Sequence, residues 1–234
     1  TMKTIGLLGG MSWESTISYY QLLNRIVKEK IGGLHSAKCL LYSVDFQEIE
    51  ECQSKGEWQK SGEILAAAAQ SLEKGGADFI ILCTNTMHKV ADQIQEAVSI
   101  PLLHIADVTT AALKRQGLTQ VALLGTAYTM EQDFYKGRLA QNGIRVLIPE
   151  EPDRAMINNV IFNELCLGAF YPGSKAAFLR VMGKLQKKGA QGVILGCTEI
   201  GLLVNQQDTD IPLFDTTILH SRAAALLALD LEDQ

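Results

Sequence analysis

Two short stretches of this 234-residue chain put reactive side chains in matching surroundings. "ADFIILCTNTMHK" (77–89) carries Cys83 and Thr84; "GVILGCTEIGLL" (192–203) carries Cys197 and Thr198. In both, an apolar run of strand type gives way to a helical pattern, so the Cys-Thr pair falls at a strand-to-helix turn. The carboxyl end of a strand in an open α/β sheet is where ligands bind. Free N–H groups at a helix start favour anions, including a thiolate and a substrate carboxylate. A cysteine so placed can have its pKa lowered from about 8.5. Two such sites facing one small molecule suit removal of a proton from one face of a carbon and its return from the other.

A lone cysteine after an apolar strand is ordinarily a small core residue. Two at one repeat position, each followed by Thr and a helix start, favour chemistry. Cys39 in a strand and Cys166 in a helix read as core, and Cys52, among glutamates, as partly exposed. The five cysteines include no C-x-x-C pair, so disulfides are not expected and a reducing cytoplasm fits. The four histidines have no metal-ligand spacing. His88 reads as structural.

The elements that must position these residues alternate. "KTIGLLGG" reads as a strand and turn, followed by a helix with Ile17, Tyr20, Leu23 and Val27 on one face. "AKCLLYSVDF" is strand-like, "EWQKSGEILAAAAQSLEKGG" helical, "DFIILCT" a strand, "NTMHKVADQIQEAV" a helix and "IPLLHI" a strand. The order then resets with "QVALLGTAY". A helix, the strand "IRVLIP", two helical stretches (153–168 and 174–188), the strands "GVILGCT" and "IPLFD" and a terminal helix follow. Strands spaced by helices and apolar on both faces predict parallel sheets of the α/β class.

The order repeats after about 115 residues: "GLLGG" is echoed by "ALLGT", "GADFIILCT" by "GAQGVILGCT", and "IPLLHIAD" by "IPLFDTTI". The expectation is two similar Rossmann-like halves related by a pseudo-twofold axis with the active site between them. The first would comprise 1–104 plus 217–234 and the second 105–216. With Gly76 and Gly189 as position one, Cys197 is ninth. The ninth residue of the first half is Thr84; Cys83 is eighth and matches Gly196. A shift of one residue on a strand turns a side chain to the opposite face, so Cys83 is expected to point away from a ligand unless the turn is remodelled.

Bulk properties narrow the partners. The chain is 47% apolar and 20% charged, with a net charge of −5, which argues against a nucleic-acid surface or an anionic membrane. Its longest apolar runs are about six to eight residues, far short of the ~20 a membrane span needs. The strand pattern begins at once, so no signal peptide is expected.

In "IGLLGGMSWEST", "GADFIILCTNTMH", "VALLGT" and "GAQGVILGCTEI", in that order, the chain resembles the cofactor-independent aspartate/glutamate racemase superfamily. That superfamily also holds hydantoin racemases, maleate isomerases and arylmalonate decarboxylases. "GGMSWEST", "VDFQEIEECQ" and "GEW" look closest to its enterobacterial broad-specificity or L-aspartate/glutamate branch. The resemblance implies a homodimer and two cysteines as acid and base, with the second-half cysteine serving the L enantiomer. It also implies that pyridoxal phosphate is not needed. Typical members read Cys-Asn-Thr in the first half, whereas this chain reads Cys83-Thr84-Asn85-Thr86. Aligning Asn85-Thr86 with the family's Asn-Thr puts Thr84 at the catalytic position, with Cys83 as the alternative. Asn85, Thr86, Thr126 and Thr198 match positions that hold the substrate carboxylate and amine. Backbone N–H groups near Met11 and Ser12 are further candidate donors, and Glu199 could orient the amine or tune Cys197. Acidic-substrate members carry an arginine after the second strand; "VDFQEIEECQ" has none, which leaves room for a broader substrate with Gln47 as a candidate contact. The alternatives are a maleate isomerase or hydantoin racemase on the same scaffold, or a weakly active amino-acid-binding protein.

Overall fold

The computed structural model describes residues 1–233. The chain divides into two compact units, Thr1–Ile105 with His220 onward, and Ala106–Leu219. In the first, β1 (Ile5–Gly9) leads into α1 (Trp13–Ile31), and β2 (Cys39–Ser43) into α2 (Phe46–Lys55) and α3 (Trp58–Lys74). β3 (Phe79–Leu82) is followed by a single-turn 3-10 segment, Thr86–Val90, and α4 (Ala91–Glu96). The sheet is parallel in the order β2-β1-β3. "IPLLHI" contributes only an isolated bridge, Leu102 to Ile80, because α5 already begins at Ile105.

The second unit takes α5 (Ile105–Arg115), β4 (Gln120–Leu124), α6 (Ala127–Glu131), α7 (Asp133–Ala140) and β5 (Arg145–Leu147). It continues with α8 (Glu151–Asn163), α9 (Pro172–Lys187), β6 (Val193–Leu195), α10 (Ile200–Leu203) and β7 (Leu213–Asp215). Its sheet is parallel in the order β5-β4-β6-β7. The last helix, α11 (Thr216–Leu229), begins in this unit and passes into the first at His220.

The two sheets share a register. Ile80 pairs with Gly6 and Leu82 with Leu8; Val193 pairs with Ala122 and Leu195 with Leu124. On the other side Ile80 meets Leu102, as Val193 meets Leu213. Period-2 alternation then sorts the side chains. Ile80 and Leu82 enter one apolar cluster of the first unit, while Phe79, Ile81 and Cys83 enter the other. In the second unit Val193, Leu195 and Cys197 share a cluster. By pairing and by face, the counterpart of Cys197 is Thr84.

Two glycines make the turns possible. Gly10 has φ +93° after β1, and a Cβ there would lie 2.4 Å from the Val44 carbonyl oxygen. At Gly196 a Cβ would lie 2.6 Å from Leu123 Cδ1 and 2.8 Å from the Leu124 oxygen, so the second unit cannot accept a cysteine where the first has Cys83.

Some expectations need correction. α1 turns Thr16, Tyr19, Leu23, Ile26 and Val27 inward, leaving Ile17 45% and Tyr20 54% exposed. Both residues lie one step off the buried stripe of a 3.6-residue helix. Cys52 is buried, because it sits with Ile49 and Gln53 on the inward face of α2.

Three histidines fill the first unit beneath the end of β3. His220 Nε2 lies 2.8 Å from the Leu103 carbonyl, so it carries the proton, and Nδ1 accepts from the Tyr19 hydroxyl at 2.7 Å. His88 stands 4.5 Å from His104 and 5.9 Å from His220 between ring centres. Burial lowers the His220 pKa to about 4, and burial, then the neighbouring imidazoles, hold His88 well below the ordinary value. A depressed folded-state pKa means that the unfolded chain binds the proton first as pH falls. Stability present at neutral pH is therefore lost between about 6.5 and 4, by about 3 kcal/mol for His220 alone. Urea midpoints measured at pH 7 and 4.5 should show this drop; equal midpoints would contradict it.

Candidate active site

The carboxyl ends of neighbouring strands β1 and β3 gather Met11, Ser12, Thr84, Asn85 and Thr86, all buried. The last ladder bond runs from the Cys83 N–H to the Leu8 carbonyl at 2.9 Å. The Thr84 N–H then turns back to the Leu82 carbonyl at 2.9 Å, which ends the strand. Ser12 caps α1, and its carbonyl accepts from Ser15 Oγ (3.1 Å) and Thr16 Oγ1 (2.9 Å). The Asn85 carbonyl accepts the His88 N–H at 3.0 Å.

Cys83 is fully buried in the cluster of Tyr19, Leu23, Phe79 and Ala224. Burial pushes its thiol far above the usual range. Gln47 is exposed on α2, where its side chain donates to Glu51 Oε1 at 3.1 Å; it is not gathered with the buried residues.

In the second unit, Thr126 follows β4 and Cys197, Thr198 and Glu199 follow β6. Here the last ladder bond runs from the Gly196 N–H to the Leu124 carbonyl. Thr126 caps α6, accepting the Thr129 N–H at 3.3 Å. Glu199, 2% exposed, accepts from both neighbours through one oxygen: Cys197 Sγ at 3.0 Å and Thr198 Oγ1 at 2.9 Å.

The Cys197 pKa is raised, not lowered. Burial is the main cause, followed by the negative charge of Glu199 and the Cys166 thiol. The helix start cannot offset this, since α10 spans only four residues and has few aligned peptide dipoles. The resting side chain is a thiol donating to a carboxylate. Once ionised, a thiol of raised pKa is a stronger base than an ordinary one, and as a thiol it can return a proton to carbon.

Sequence patterns did not reveal the Tyr19–His220 bond or the packing of His88 against His104. A signal lay in the repeat: His104 corresponds to Asp215, which is half-buried and holds its proton more tightly than usual because its carboxylate is desolvated. Among the described residues, no cluster of three His, Cys, Asp or Glu side chains could hold a metal. No described helix is long and apolar enough to cross a membrane.

Comparison with known proteins fits this geometry. The Asp/Glu/Hydantoin racemase family model matches residues 8–224. The chain belongs to that family. It is 28% identical over 219 residues to the broad specificity amino-acid racemase RacX of Bacillus subtilis, covering 91% of this chain and 92% of the relative. A crystal structure from Yersinia pestis, assigned as an Asp/Glu racemase, has 56% identity and a TM-score of 0.90, covering 97% of this chain and all of that one. An aspartate racemase homologue from Pyrococcus horikoshii OT3 has 35% identity and a TM-score of 0.84, with the same coverage of both chains. The α/β architecture with two parallel sheets is thus the fold of this racemase family.

Glu199→Gln in this racemase removes a charge that holds the thiol neutral. The Cys197 pKa should fall, and thiolate absorbance near 240 nm should develop at lower pH than in the unmodified protein. An unchanged or alkaline-shifted titration would show that Glu199 does not hold the thiol neutral.

Proposed function

We propose that this racemase removes and returns the α-proton of aspartate, glutamate or a broader set of amino acids, without a cofactor, using Cys197 and Thr84. The shared register of the two sheets carries this reading, since it makes Thr84 and Cys197 equivalent. The bond from Cys197 to Glu199 adds support, because it gives the thiol proton an acceptor at 3.0 Å. The breadth of substrate rests on the absence of arginine from "VDFQEIEECQ" and on the relative RacX, which is a broad specificity amino-acid racemase.

The chemistry is unequal on the two faces. Cys197 loses its proton toward Glu199, takes the α-proton of the L enantiomer and can return a proton to the same face. Thr84, an unassisted hydroxyl, is too weak an acid to rest as alkoxide, so it donates or relays a proton, through water if need be. Met11 and Ser12 backbone N–H groups, Asn85, Thr86, Thr126 and Thr198 hold the carboxylate and amine.

In heavy water, L substrates should gain α-deuterium faster than the D enantiomer appears, as read by NMR and chiral chromatography. Overall kcat/KM must stay balanced between enantiomers because the equilibrium constant is one. Thr84→Cys should speed inversion, while Cys83→Ala should leave exchange in place. Equal exchange of both enantiomers, abolished by Cys83→Ala in a folded protein, would make Cys83 the first-half base; no exchange with any amino acid would leave a binding protein.

We also infer a homodimer in the cytoplasm, where the five free cysteines stay reduced. Trp13, Ile17 and Tyr20 form an exposed apolar stripe on α1 suited to a second copy. Sedimentation should give a dimer that Ile17→Glu dissociates; a monomeric unmodified protein would refute this.

A further inference from the structure

Thr84 lies beyond the last ladder bond of β3, so the sheet does not hold its carbonyl. The ring of His88 does. His88 Nδ1 lies 2.7 Å from the Thr84 oxygen, and a carbonyl only accepts, so Nδ1 carries the proton. Nε2 is then the acceptor, and it receives the Ile105 N–H at 3.2 Å. Both ring nitrogens are committed, in one neutral tautomer, on a side chain 3% exposed. His104 and His220 pack against the same ring, and His220 is itself fixed by Tyr19 and the Leu103 carbonyl.

The second unit lacks this device. Four residues after Cys197 stands Gly201, the counterpart of His88, and a Cβ there would lie 2.1 Å from Asp215 Oδ2. Asp215, the counterpart of His104, fills the space and accepts the Thr217 N–H at 2.9 Å at the start of α11. Cys197 is held through its own sulfur by Glu199 instead.

We propose that His88 is a positioning residue for Thr84: its Nδ1–H bond to the Thr84 carbonyl sets where the Thr84 hydroxyl stands, and so controls inversion but not α-proton exchange at Cys197. The inference rests on Thr84 being the first-half proton carrier. It separates His88 from a residue that only supports the fold, because a fold defect lowers both reactions together.

Two variants divide the ring's two bonds. His88→Asn keeps an N–H close to the Nδ1 position; His88→Gln moves the amide out to the Nε2 position and abandons the Thr84 carbonyl. In heavy water with the L substrate, His88→Gln should lower inversion about 10-fold or more while exchange stays within about twofold, and His88→Asn should keep inversion within about threefold. The same comparison in the Thr84→Cys background makes inversion readable even where the hydroxyl is slow. There, peptide-resolved iodoacetamide labelling of residue 84 should change with His88→Gln and not with His88→Asn. Parallel loss of exchange and inversion, equal behaviour of the two variants, or labelling insensitive to both would overturn the proposal. A lack of exchange in the unmodified enzyme would instead remove the proton-transfer reading, and the labelling comparison would still decide whether His88 positions residue 84.

Discussion

The last backbone bond between β1 and β3, and its equivalent between β4 and β6, govern the candidate active site. The Cys83 N–H bonds to the Leu8 carbonyl, and the Gly196 N–H bonds to the Leu124 carbonyl. These are equivalent rungs, so the next residue along, Thr84 or Cys197, is the first released from the ladder. A strand turns successive side chains to opposite faces, and a buried strand cannot slip by one residue without exchanging its core for its other face. Ile80 and Leu82 lie in one cluster, and Phe79, Ile81 and Cys83 in another. Moving Cys83 into the place of Thr84 would move all of these.

Much of this was legible in the sequence because the repeat carries its register with it. "GADFIILCT" over "GAQGVILGCT" gives the same pairing as the observed ladders. The buried runs were readable because a parallel sheet covered on both faces needs continuous apolar residues. "IPLLHI" has the same strand-like composition, but it supplies one bridge before α5 begins. Apolar content alone does not say how many rungs form. Ile17 and Tyr20 misled for a related reason, since an exposed apolar stripe and a buried one have the same helical period.

The electrostatics of Cys197 were less legible. Local sequence shows a helix start, which favours a thiolate. It does not show that the helix stops after four residues, that the sulfur lies within the apolar cluster of Val193 and Leu195, or that Glu199 turns back onto it. Each of these favours the neutral thiol, and burial is the largest. A helix terminus contributes roughly 0.3–1 kcal/mol in exposed settings, while desolvation of a buried charge costs several kcal/mol. The order of these magnitudes decides the sign of the shift.

The two units therefore share a backbone plan and differ in how the released residue is held. In the second, a carboxylate bonds the sulfur itself, so position and proton affinity are set together by one side chain. In the first, a hydroxyl does not ionise near neutral pH, so only its position is left to set, and the imidazole bonds the carbonyl behind it. Gly201 with Asp215 and His88 with His104 are the corresponding pairs, and each excludes the other's arrangement. A side chain at 201 would strike Asp215, and removing the ring at 88 would leave a space lined by His104 and His220. Converting one half into the other therefore requires several simultaneous changes: the residue released from the ladder, the residue four places on, and the one at 104 or 215 that packs against it.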